Sequence, residues 1–128
     1  MTPTLMIVSP NQRLRKRIRK LLADAGLLLT KDAGSQQAML EVVKTDQPNL
    51  VILDLFMGKG LSALDLLKIL EKTKLDASVI LLTPVTTRTL VERAFRSGAK
   101  DVLQLPATDE ELLSCVLHRK RNLETMTF

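Results

Sequence analysis

The sequence predicts an α/β fold: a doubly wound, five-stranded parallel sheet with helices on both faces. Three observations predict it. Short apolar runs alternate with amphipathic segments five times along the 128 residues. Two of the runs, "LVILD" (Leu50–Asp54) and "SVILLT" (Ser78–Thr83), are apolar almost throughout, as parallel strands buried on both faces must be. Capping and stop residues stand where the intervening helices would begin and end. The length suits a single domain over residues 1–128, because no linker, repeat or low-complexity stretch divides it.

"TLMIV" (Thr4–Val8) reads as the first strand. A helix follows over about 11–25, with Leu14, Ile18, Leu21 and Leu22 at helical spacing, and Gly26 can end it in the left-handed conformation. Ser9-Pro10-Asn11-Gln12 reads as its start, with serine as N-cap, proline at the first helical position and glutamine completing a capping box. "LLLT" (Leu27–Thr30) is a short second strand, and Ser35 caps a helix carrying Met39, Leu40, Val42 and Val43. "LVILD" is the third strand. Ser62-Ala63-Leu64-Asp65 is a capping-box pattern that opens a helix through about Lys72. "SVILLT" is the fourth strand, and the next helix, over about 87–96, is stopped by Gly98. "DVLQL" (Asp101–Leu105) is the fifth strand, and Thr108-Asp109-Glu110-Glu111 is a second capping box before the last helix. The tail after Asn122 is expected to fray.

Composition excludes several classes of function. Three Phe and no Trp or Tyr leave an aliphatic core. Cys115 is the only cysteine, so there is no internal disulfide, and no cluster of Cys and His suggests zinc. Cys115 reads as core on the last helix, whereas His118, among cations on the same helix, reads as surface. Neither a signal peptide nor an apolar run long enough to span a bilayer is present, and a cytoplasmic protein is expected. Net charge is +5, and "RLRKRIRK" (Arg13–Lys20) holds six cations and no acid. These cations read as the solvated faces of an amphipathic helix. Direct nucleic-acid binding is not expected, since neither aromatic stacking residues nor a recognition motif accompanies them.

One acid breaks the apolar pattern: Asp54 ends the third strand, and a loop with two glycines follows it, "LFMGKG". Burying an unpaired charge is costly, so an acid there has a partner or a task. In open parallel sheets, ligands sit at the carboxyl ends of the strands. The candidate site residues are therefore Ser9, Asp54, Thr83 and Leu105-Pro106. Ser9 and Asp54 do not make a hydrolytic pair, because no histidine or lysine base accompanies them. An enzyme is not expected.

These segments resemble, in order and nearly without gaps, the receiver domain of bacterial two-component response regulators. "LMIVSPNQRLRKRIRKLLADAG", "PNLVILDLFM", "LDLLKIL", "SVILLTPV", "AFRSGAKDVLQLP" and "ELLSCVLHRK" carry the resemblance, which covers about residues 4–121. The loop after Asp54 looks one residue longer than usual. The resemblance implies the flavodoxin-like strand order 2-1-3-4-5. It puts Asp54 on the phosphoacceptor position, Thr83 on the hydroxyl that contacts the phosphoryl group, and the Phe56 carbonyl on a magnesium-binding position. It also makes Pro106 a candidate for a cis peptide.

The rest departs from the family's pattern. Ser9 and Pro10 stand in place of the metal-binding acid pair, Leu105 in place of the phosphate-binding lysine, and Val102 in place of the aromatic switch residue. Phosphoryl transfer is catalysed mainly by positioning and by neutralising charge on the equatorial oxygens, and this edge offers little of either. The expectation is a degenerate receiver that works through protein contacts, with no metal or other cofactor. The rival reading is a working phosphoacceptor at Asp54 in a phosphorelay, which would need Mg2+. The resemblance further implies a signalling partner: a histidine kinase, a phosphotransfer protein or an output domain. Kinases and phosphotransfer proteins dock near the family's first helix, and a homodimer would pair through the fourth helix, fifth strand and fifth helix, about Thr87 to Arg121.

Overall fold

The computed structural model describes residues 4–27, 30–56, 62–73 and 76–125. Five strands alternate with five helices: β1 (Leu5–Val8), α1 (Gln12–Asp24), β2 (Thr30–Ala33), α2 (Gln36–Asp46), β3 (Leu50–Asp54), α3 (Ala63–Lys72), β4 (Ser78–Thr83), α4 (Arg88–Arg96), β5 (Ala99–Gln104) and α5 (Asp109–Thr125). All strand pairs are parallel, and the order is β2-β1-β3-β4-β5. The central strands β1, β3 and β4 are buried on both sides, which is why their sequences run apolar without alternation. Pleating sends alternate side chains to opposite faces. Met6, Val8, Val51, Leu53, Val79 and Leu81 pack under α2, α3 and α4. Leu5, Ile7, Leu50, Ile52, Ile80 and Leu82 pack under α1 and α5.

The helix boundaries follow local chemistry. Ser35, Ser62 and Thr87 each accept a hydrogen bond from the backbone amide three residues on. At α5 the capping box is complete, since Glu111 N donates to Thr108 Oγ1 and Thr108 N donates to Glu111 Oε1. Gly26 (φ 85°) and Gly98 (φ 109°) turn the chain out of α1 and α4 in the left-handed conformation.

Four sequence expectations need correction. The second strand begins at Thr30, not Leu27. It is the edge strand "TKDA", whose polar residues hid it, and Leu28 and Leu29 lie outside the described residues. β5 starts two residues before "DVLQL", at Ala99. Helix α5 extends to Thr125, three residues past Asn122, where the sequence places the start of the tail. The N-cap of α1 is Asn11, not Ser9: Asn11 Oδ1 accepts from Leu14 N. Ser9 is not free to cap, because its hydroxyl accepts from Asn11 N in a tight local turn and is engaged elsewhere.

Candidate functional site

The register of the sheet builds the site. Val8 stands opposite Leu53, so the next residues along, Ser9 and Asp54, are neighbours that point to the same face. That face is the one under α1 and α5. Ser9 donates its hydroxyl proton to Asp54 Oδ2 at 2.7 Å. Phe56 N donates to the other carboxylate oxygen at 3.2 Å. Asp54 is 8% exposed and Ser9 is wholly buried. A charge-assisted bond of this kind is among the stronger ones, and it offsets part of the cost of keeping an anion here.

The other candidate residues take different roles in the geometry. Asp54 lies opposite Leu82, so Thr83 falls one residue further along, on the opposite side of the pleat. The Thr83 hydroxyl donates to the Val85 carbonyl and accepts from Val85 N, which fixes the turn after β4. Leu105 packs against the α1–α5 side of the core, and the Leu105–Pro106 peptide is cis. Val102 packs half-buried against the opposite core layer. Pro10 is exposed two residues past β1, and the loop 57–61, read from the sequence as one residue longer than usual, lies outside the described residues.

Magnesium asks for near-octahedral oxygen ligands, with carboxylates to balance its charge. The described edge offers one carboxylate, already hydrogen-bonded at both oxygens, and the Ser9 hydroxyl is turned to donate, not to ligate. Among the described residues no group of three or more His, Cys, Asp or Glu side chains comes together. Among the described residues the donor set does not fit the ion.

The cations of α1 were read as a solvated face, and five of the six are exposed; Arg15 is the exception, and the exposed Arg17 and Arg19 carry ion pairs. Arg15 donates to the Ser9 carbonyl and pairs with Asp32 of β2 at 3.3 Å. Arg19 shares Asp32 at 3.4 Å. Arg17 spans to α5, pairing with Asp109 at 2.9 Å and donating to the Ala107 carbonyl. Sequence reasoning missed Arg15 altogether. The available signal was Asp32, an acid two residues past the stretch that reads as the second strand in sequence.

On α5, Arg119 pairs with Asp101 of β5. Burial pushes the neighbouring Cys115 thiol up to about 11, with the charge of Asp101 adding to the rise and Arg119 opposing it. Cys115 lies half-buried against the core, and His118 is exposed. The thiol is therefore protonated at neutral pH and a poor nucleophile. Iodoacetamide at pH 8 should alkylate Cys115 several-fold more slowly in the folded protein than in urea, as followed by intact mass. Because the folded state favours the neutral thiol, its contribution to stability is present below about pH 9 and lost as pH rises through about 11.

A five-stranded parallel sheet in the order 2-1-3-4-5 is a fold that this chain shares with solved receiver domains. The family model of the response regulator receiver domain matches residues 5–117. The chain belongs to the response regulator receiver domain family. The receiver domain is 28% identical over 115 residues to Protein CcdB of Bacillus subtilis, covering 88% of this chain and 92% of that protein. It is 27% identical over 114 residues to the transcriptional regulatory protein PdtaR of Mycobacterium tuberculosis, covering 88% of this chain and 54% of that protein. Among solved structures, the receiver domain protein of Methanospirillum hungatei superposes with a TM-score of 0.87 at 16% identity, over 98% of this chain and 99% of that one. The receiver domain of the Francisella response regulator 1452 does so with a TM-score of 0.85 at 22% identity, over 94% of this chain and 98% of that one. These last two show likeness of fold. The receiver domain spans about half the length of PdtaR.

Proposed function

We propose that this receiver domain acts in two-component signalling through protein contacts, with an Asp54 that is held by hydrogen bonds in place of metal and is not readily phosphorylated. The observation that carries this reading is the pairing of Ser9 with Asp54 across β1 and β3. A phosphoryl group on Asp54 would face Ser9 and the Leu105 side of the core, with no lysine and no second carboxylate from the described residues to hold its charge. The partner is a signalling protein, a kinase, phosphotransfer protein or output domain. The setting is cytoplasmic, in keeping with the family, and no described helix is long and apolar enough to cross a membrane.

Acetyl phosphate with magnesium tests this directly. The intact mass should stay unchanged after incubation. A stoichiometric phospho-adduct that Asp54→Asn abolishes would establish the rival reading, a working phosphoacceptor at Asp54.

The α4–β5–α5 side is the face for self-association. It exposes Arg93, Phe95, Arg96 and Lys100 toward one end, and Glu110 and Glu111 toward the other. A two-fold axis would set the basic part of one copy on the acidic part of its mate. With Val102 in place of a ring, no side chain on this face waits to move inward. Any dimer is therefore constitutive, and light scattering should give the same mass with and without acetyl phosphate. A dimer seen only after treatment would contradict this.

A further inference from the structure

We propose that Arg15 is the positioning residue of this edge: it fixes Ser9 against Asp54 and supplies, at one remove, the positive charge that a metal ion and a lysine would otherwise bring. The proposal rests on the reading that Asp54 works without metal.

Every polar group of Ser9 is engaged, and Arg15 holds one of them. Ser9 N donates to the Ala33 carbonyl at 3.0 Å, and the Ser9 carbonyl accepts from Arg15 Nη1. The hydroxyl oxygen accepts from Asn11 N at 3.0 Å, and its proton goes to Asp54. With a backbone amide already occupying the oxygen, the hydroxyl acts as donor toward the carboxylate. Its direction is set by the backbone that Arg15 clamps. The guanidinium itself is held from two further sides. Its Nε pairs with Asp32, and its head lies over Gly34, where an added Cβ would stand 3.0 Å from Nη1. The side chain is only 17% exposed, so its charge is poorly screened by water. The resulting chain of contacts runs Arg15, Ser9 carbonyl, Ser9 hydroxyl, Asp54.

A plain tie between α1 and β2 through Asp32 would use the same contacts but would be indifferent to the charge at position 54. A double-mutant cycle separates the two. Arg15→Gln should lower the folding equilibrium constant about fivefold more in the wild type than in the Asp54→Asn background, a coupling of the size expected for groups in one network. Arg15→Lys, which keeps the charge, should retain more of that coupling than Arg15→Gln. Should Arg15→Gln fail to fold, Gly34→Ala serves instead. It crowds the guanidinium without removing it, and its effect should couple to Asp54→Asn in the same sense. Additive effects in urea melts would overturn the proposal and leave Arg15 as a tie only. The same melts repeated with magnesium keep the two readings apart. Stabilisation of the wild type by magnesium sinks the metal-free reading, whereas an additive cycle without any magnesium effect sinks the Arg15 proposal alone.

Discussion

Ser9→Asp should cost about 3 kcal/mol of stability in the absence of divalent metal, and millimolar magnesium should return much of it. Ser9 and Asp54 are side-by-side neighbours on one face of the sheet, and their side chains already meet at 2.7 Å. An aspartate at position 9 would replace a donated proton with a second negative charge in the same buried corner. Two carboxylates at that separation repel, and neither has a cation from the described residues in direct contact, since Arg15 touches this corner at the Ser9 carbonyl and otherwise pairs with Asp32. Magnesium would then find two adjacent carboxylates, a set much nearer to its preference. Binding to the folded state alone returns about 1.4–2.7 kcal/mol when the ion exceeds its dissociation constant 10- to 100-fold. The wild type should show no such dependence. Urea melts of both proteins, with magnesium and with EDTA, read the difference. A Ser9→Asp protein that is as stable as the wild type and indifferent to magnesium would mean that the edge is more open to water than its burial indicates.

The fold was legible because parallel strands buried on both faces leave an unmistakable mark in sequence. β3 and β4 are apolar runs that end in a single polar residue, Asp54 and Thr83, and both were placed correctly at their last residue. β2 was not legible for the opposite reason. As an edge strand it carries Lys31 and Asp32 at positions that are not fully buried, so it has no apolar run to find, and the leucines just before it drew the assignment N-terminal. The candidate site was half legible. Ser9, Asp54 and Leu105 share the carboxyl edge because strand ends do, which is a topological fact that a sequence can state. Their hydrogen bonds depend on register, which it cannot. A reading of Ser9 as a helix cap was locally reasonable, and the nearer of two polar side chains, Asn11, does that work. The partner that made Ser9 unavailable lies 45 residues away. Arg15 stayed hidden for the same reason, being one cation among six until the fold brings Asp32 and Gly34 to it.

The two ends of the Ser9–Asp54 bond should respond unequally to mutation. Ser9→Ala should destabilise the protein by about 2–3 kcal/mol, because it leaves a buried carboxylate oxygen and the Asn11 amide without their partner. Asp54→Asn should be neutral or stabilising, by no more than about 1–2 kcal/mol. The amide keeps an oxygen for the Phe56 N–H, and its own N–H2 can donate to the Ser9 oxygen, which has a second lone pair to accept it. What it sheds is the desolvation cost of the anion, and what it forgoes is the attraction of Arg15, which limits the gain. Urea melts of the wild type and both single variants, under the same metal-free buffer, give the comparison. In a receiver whose acid is held by metal and lysine, the ranking has no reason to favour the amide. If Asp54→Asn is instead the more damaging change, the carboxylate is a structural acceptor whose charge the surrounding amides require, and the edge was kept for folding.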